Sequence, residues 1–174
     1  KVETALENKL AEPLNKTFFS KDRPFDNDVD ITPEKGWGTM NAQGLPTPGG
    51  VLKRVVRKGK PSSLYGRVAV GDKIKAHYHG YRTNGTIFDS SIAFRRPYEF
   101  TLGSGNVISC WDVAFLTMEI GERAIITCRP DYAYGDKGVG NGKILPCETL
   151  QFDVQLLNIT QRNPEGGPRN YTLG

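Results

Sequence analysis

The chain has 174 residues, a net charge of +4, 37% hydrophobic content, 20 glycines and 11 prolines. That length suits one ordinary domain with an appendage, and the composition suits a compact β-rich domain with a loosely structured extension. No apolar run approaches the ~20 residues that a membrane-crossing helix needs, and no charged-then-apolar leader opens the chain, which starts at Lys1 and not at methionine.

In chain order, Val2, Ala5, Leu6 and Leu10 recur at helical spacing until Pro13, which predicts a short amphipathic helix over about residues 1–12. From Leu14 to Gly50 periodicity disappears among Pro24, Pro33, Pro46, Pro48 and paired glycines, the pattern of a linker or of an arm laid over the domain. Trp37, between two glycines, is expected to dock on the domain or on a partner. Val51 to Arg57 alternates as a strand. Its basic neighbours Lys53, Arg54, Arg57, Lys58 and Lys60 read as a solvated face, because a nucleic-acid arm is denser and carries stacking aromatics.

Lys73 to Tyr81 alternates clearly, with Ile74, Ala76 and Tyr78 on one face and Lys75, His77 and His79 on an expected wet face. Asn84-Gly85 predicts a hairpin turn, returning through Ile87-Phe88-Asp89. Tyr98 and Phe100 share a face of the next strand. Val107, Ile108 and Trp111 fall on one side only if helical, so a short helix is expected from Asn106, as cap, to about Thr117. Two further strands follow, Arg123 to Arg129 and Thr149 to Ile159. A lone short helix among strands must lie across a sheet to bury its apolar side. The fold class is therefore α+β: an antiparallel sheet wrapped on one short helix. The domain spans about 50–160, after an extension at 1–49 and before a linker-like tail at 161–174.

Cys110, Cys128 and Cys147 have no metal-ligand spacing and read as free thiols in a reducing compartment. Asn15, Asn84, Asn158 and Asn170 match the glycosylation acceptor pattern, a point for secretion. That pattern is short, and the reading places the chain in the cytosol or nucleus.

Tyr78, Phe88, Tyr98, Tyr134 and Phe152 sit near strand ends and loop mouths, and with Trp111 as a floor they would form an apolar pocket with polar tips. The alternative for Trp111, and equally for Phe100 and Phe152, is plain core packing. Asp89 either lies beside this aromatic set, accepting a hydrogen bond from Tyr78, or caps the turn before Ser90-Ser91. No convincing histidine partner is expected for either serine, His77 and His79 lack a third metal ligand, and no phosphate- or dinucleotide-binding glycine loop is present. Neither metal nor cofactor is called for.

His77-Tyr78-His79-Gly80, Phe88-Asp89-Ser90-Ser91, Val107-Ile108 with Trp111, Pro130 through Gly135, and Ile144-Leu145-Pro146 with Phe152-Asp153-Val154 occur in this order. Together they resemble the FKBP-type peptidyl-prolyl isomerases, receptors of tacrolimus and rapamycin. Val29 to Pro33 and Gly49 to Lys53 are similar to the lead-in of the first FK domain of the large immunophilins, which carry TPR repeats and partner heat-shock chaperones; no TPR helices are present in these residues. The resemblance implies a sheet half-wrapped around one helix, catalysis of Xaa-Pro isomerisation in protein clients, and macrolide binding. It implies that Trp111 floors the proline ring, with Tyr78, Phe88, Tyr98, Val107, Ile108 and Phe152 around it. The Ile108 N–H and the Tyr134 hydroxyl hold ligand carbonyls, Asp89 faces the substrate, and Ile144 and Leu145 overhang the mouth. A second implied reading is an FK-like interaction module with little turnover.

The chain departs from the family pattern in three places. Phe94 stands where an arginine often pairs with the aspartate, which leaves the orientation of Asp89 open. Residues 136–143 form a longer, glycine-rich rim. Ser109-Cys110 replaces a basic-small pair before the tryptophan.

Overall fold

The computed structural model describes residues 28–33, 49–60 and 67–164. The expected helix at 1–12, Trp37, Asn15, Asn170 and most of the tail lie outside the described residues. Seven strands form one antiparallel sheet: β1 (Val29–Asp30), β2 (Val51–Arg57), β3 (Lys73–Tyr81), β4 (Ile87–Ser90), β5 (Tyr98–Thr101), β6 (Arg123–Cys128) and β7 (Leu150–Gln161). The order across the sheet is β1-β2-β6-β7-β3-β4, with β5 also on β3. The helix α1 (Ser109–Phe115) packs against one face of the sheet, and its Trp111, Ala114 and Phe115 join Ile74, Ala76, Ile126, Leu150, Val154 and Leu156 in one core. Among the described residues no helix is long and apolar enough to cross a membrane.

The architecture follows from β3. On one side it pairs with β7 over its whole length. On the other it pairs with β5 only as far as Ala76 and with β4 only from His79. The backbone of Tyr78 falls in the gap between them. Ser91 fills that gap: its Oγ accepts from the Tyr78 N–H (2.8 Å), and its N–H donates to the Tyr78 carbonyl (3.0 Å). Buried backbone groups must be paired, so one serine keeps an interrupted edge intact.

Several expectations are corrected. His77 and His79 do not lie on a wet face; they are 1% and 8% exposed. The loop after β4 covers them, and each meets a serine, His77 Nδ1 with Ser91 Oγ and His79 Nδ1 with Ser90 Oγ, both at 2.8 Å. The serines therefore do have histidine partners, but all four residues are buried and Ser91 is spent on backbone, so the pairs brace the loop. Lys53 is not on a solvated face: its Nζ reaches Glu122 at 2.6 Å and the Thr117 carbonyl at 3.0 Å, beneath β2. Helix α1 starts at Ser109, and Asn106 does not cap it; Ile108, extended at φ −60° and ψ 147°, holds the N-cap position without a side-chain bond. Val107 and Ile108 thus precede the helix. Finally, Cys110 and Cys128 are joined in a disulfide between α1 and β6, and only Cys147 is free. The placement in the cytosol or nucleus loses the support it drew from free thiols.

The lead-in segment adds to the sheet. Ile31 N–H donates to the Val51 carbonyl (3.0 Å), and Asp30 accepts from the N–H groups of Thr32 and Gly49, both at 2.9 Å. Part of the expected arm is therefore edge strand.

Candidate active site

A hollow of about 420 Å³ opens above the indole of Trp111, lined by Tyr78, Phe88, Asp89, Tyr98, Val107, Ile108, Tyr134 and Phe152 together with Gly105 and Asn106. The walls come from several different elements. Tyr78 comes from β3, Phe88 and Asp89 from β4, Tyr98 from β5 and Phe152 from β7. Trp111 belongs to the first turn of α1, and Val107 and Ile108 to the extended entry to it.

Aromatic edges fix the floor. The Trp111 ring lies 4.7 Å from Tyr78 at 78° and 5.5 Å from Phe152 at 87°, both edge-to-face. Phe100 and Phe115 support it from below, each 5.6 Å away. Such quadrupole-matched contacts hold a ring more firmly than burial alone. Phe88 meets Phe152 at 5.7 Å across Gly80, where an added Cβ would stand 2.8 Å from the Phe88 ring. The two alternatives for Trp111 thus merge: it is 5% exposed and part of the core, and its upper face still floors an open hollow. The indole Nε1 is buried with no partner, an unmet donor of the kind that collects at binding sites.

Asp89 lies in the pocket and is oriented by its own strand and by the neighbouring β3. The Tyr78 hydroxyl donates to Oδ2 at 2.7 Å, and the Ser90 N–H donates to Oδ1 at 2.9 Å. No arginine is needed to aim it, and Phe94 instead projects outward, 76% exposed. Burial first, and then the bond to Asp89, push the Tyr78 hydroxyl far above the ordinary tyrosine range. Burial, then the charge of Asp89, also raises Tyr134. Both phenols are therefore neutral donors at any physiological pH. The Ile108 N–H and the Tyr134 hydroxyl make no hydrogen bond among the described residues, so both can serve a ligand.

The rim differs from the expectation in one respect. Leu145 is 49% exposed, whereas Ile144 is 2% exposed within the core, and neither lines the hollow. The Val139 N–H donates to the Ile144 carbonyl (2.9 Å), an isolated bridge that closes the rim on itself. Gly138, at φ +65°, permits the approach, since a Cβ there would meet the Leu145 carbonyl carbon at 2.8 Å.

Two positions escaped sequence reasoning. Glu148 is buried and gathers Arg82 Nε (3.2 Å), the Thr83 N–H (3.3 Å) and the Leu145 N–H (2.7 Å), tying the rim to the β3–β4 hairpin. Burial works against its ionisation, but those bonds outweigh it and hold its carboxyl below the usual range. Asp112 accepts from the Gly103 N–H (2.8 Å), fixing the turn that carries Gly105 and Asn106 into the site. Burial pushes its carboxyl up to about 6 against that bond. Neither role has a local sequence signal, because each partner arrives from another element.

Residues 65–157 match the family model described as FKBP-type peptidyl-prolyl cis-trans isomerase. The chain belongs to this family. It is 44% identical over 110 residues to human peptidyl-prolyl cis-trans isomerase FKBP4, covering 63% of this chain and 23% of that protein. It is 40% identical over 111 residues to FK506-binding protein 1 of Dictyostelium discoideum, covering 63% of this chain and 98% of that one. It is 46% identical over 89 residues to Drosophila melanogaster peptidyl-prolyl cis-trans isomerase Fkbp12, covering 51% of this chain and 82% of that one. The chain thus spans about a quarter of the length of FKBP4 and most of the length of the two shorter relatives.

Proposed function

We propose that the domain accelerates cis/trans rotation of Xaa-Pro bonds in protein substrates and that macrolides such as tacrolimus and rapamycin compete for the same hollow. The observation that carries the reading is an open aromatic cup floored by Trp111, with unused donors at Ile108 and Tyr134 on its wall. The imide barrier of about 18–20 kcal/mol comes from C–N resonance, which places negative charge on the carbonyl oxygen. Water stabilises that charge. An apolar cup replaces water around the bond, and the less polar twisted form gains on the planar one. Each ~1.4 kcal/mol so gained is tenfold in rate, with no covalent step. The proline ring sits on Trp111, the Ile108 N–H and the Tyr134 hydroxyl hold flanking carbonyls, and Asp89, already steered by Tyr78, faces the rotating carbonyl. Tyr98 closes the side wall, its ring 5.7 Å from Phe100 and near parallel to it.

The isomerase unit is placed at 50–160, with an extension at 1–49 and a tail at 161–174. Partnership with heat-shock chaperones would belong to a longer parent bearing TPR repeats. An assay of Xaa-Pro peptide isomerisation, run with and without rapamycin, tests the reading. Turnover that rapamycin abolishes supports it; a folded domain with neither turnover nor rapamycin binding defeats it. Asp89→Val is expected to lower kcat/KM about tenfold or more, with the circular dichroism spectrum unchanged.

A further inference from the structure

The tip of the β3–β4 hairpin carries an asparagine whose side chain is set up for chemistry that the isomerase site does not use. Asn84, Gly85 and Thr86 form an acceptor triplet, and all three are exposed. The Thr86 hydroxyl donates to Asn84 Oδ1 at 2.7 Å, and the Thr86 N–H donates to the same oxygen at 3.0 Å. The turn is closed locally by Arg82 N–H to the Thr86 carbonyl (2.9 Å) and Gly85 N–H to the Arg82 carbonyl (2.8 Å). Hairpins close in microseconds, so this geometry is available to a chain still folding. Both donors converge on Oδ1 and leave the amide nitrogen Nδ2 free in solvent. Charge that develops on Oδ1 as Nδ2 gives up a proton is met by two hydrogen bonds. Open space surrounds the tip: a Cβ built on Gly85 meets nothing within 4 Å.

A second acceptor triplet among the described residues provides an internal contrast. Asn158 lies within β7, opposite Lys75. Its Oδ1 is taken by the Ile159 N–H (2.9 Å), and the Thr160 hydroxyl turns to the Lys73 carbonyl (3.3 Å). The asparagine and threonine match those at Asn84, but this threonine does not serve its asparagine.

The third observation is the disulfide. Cys110 and Cys128 are both 0% exposed and are bonded across the core. Such bonds persist in oxidising compartments and are rare where glutathione keeps thiols reduced. The same compartments hold the machinery that glycosylates asparagine.

We propose that Asn84 is an N-glycosylation site and that the chain matures in an oxidising, secretory environment. In the transfer, Asn84 Nδ2 attacks the anomeric carbon of a glycosyl diphosphate-lipid donor. The C–N bond forms as the C–O bond to the diphosphate breaks. The lipid diphosphate leaves with the electron pair, a base of the transferring enzyme takes the amide proton, and no oxidation occurs. The glycan projects from the hairpin tip, and the turn that bears it is tied through Thr83 to Glu148.

The test uses the whole protein isolated from the cells that make it. Amidase release of N-glycans in heavy-oxygen water, followed by non-reducing peptide mapping, is expected to convert Asn84 to a labelled aspartate and to recover Cys110 and Cys128 in one cross-linked peptide. In a eukaryotic secretory host, Asn84→Gln and Thr86→Val should each abolish the glycan-dependent shift in gel mobility that residue 84 contributes. Thr86→Ser should restore it, and isomerase turnover of Asn84→Gln should equal that of the parent. An unlabelled Asn84 in the native protein, or a mobility unchanged by Asn84→Gln, overturns the proposal.

Discussion

The floor of the cup and its rim are built by opposite means. Trp111 is wedged between Phe100, Phe115, Phe152 and Tyr78, and its neighbour Cys110 is bonded to the sheet. The rim exposes Phe94, Leu145, Tyr98 and Tyr134 and turns through Gly135, Gly138, Asn141 and Gly142, all at positive φ. The floor is therefore a surface of the core, and damage there is damage to the fold. The rim hangs on a few hydrogen bonds converging on Glu148, so it can change shape or sequence at little cost to stability. Under the proposed function, catalytic power would belong to the first region and discrimination among substrates to the second.

That contrast can be broken from the floor outward. Trp111→Ala should cost about 3–5 kcal/mol of stability and, in the fraction that folds, weaken rapamycin binding by more than tenfold; denaturant melts and titration calorimetry read both, and unchanged affinity removes Trp111 from the site. Opening the disulfide, whose cysteines are 18 residues apart, should cost about 3 kcal/mol by loop entropy. Comparing Cys110→Ala/Cys128→Ala with the oxidised parent in urea measures it, and an unshifted midpoint would mean that the bond does not stabilise the floor.

Asp112 sharpens the comparison through pH. Its carboxyl is raised to about 6, chiefly by burial. Between the ordinary carboxylate value and 6 the folded protein binds more protons than the unfolded chain, so stability falls as pH rises through that window and is level above it. After allowance for solvent screening the effect is about 1–2 kcal/mol. Asp112→Asn keeps an acceptor for Gly103 and should flatten the slope; a slope that survives assigns it elsewhere. The smallest effect is expected at the rim. Glu148→Gln should cost about 1 kcal/mol and raise KM for peptides a few-fold with kcat nearly unchanged, whereas a fall in kcat alone would place Glu148 in the chemistry.

The sequence carried the parts of this fold that repeat along a strand. The alternation at Ile74, Ala76 and Tyr78 was legible because one face of β3 is core throughout. Its other face misled: polar His77 and His79 signal solvent, yet Ser90 and Ser91, brought over by the β4 loop, meet both rings. Lys53 misled likewise, since Glu122 and Thr117 reach it from far along the chain. The pairing of Cys110 with Cys128 depends on Cα atoms brought to 5.9 Å by the packing of α1 on β6, a tertiary fact that spacing cannot supply. In the site, the aromatic residues were legible as a set, because each large apolar side chain near a loop mouth needs cover. The ties at Asp112 and Glu148 were not, being single carboxylates with no periodic context.

Cys147 follows the rim and stands exposed, the sole thiol left once the other two are bonded. Its N–H is pinned to the Gly135 carbonyl at 3.0 Å, so a maleimide fluorophore attached there would sit beside the turn that follows Tyr134, a wall of the cup. Without any engineering, the molecule thus carries a single address for a reporter that watches ligands come and go.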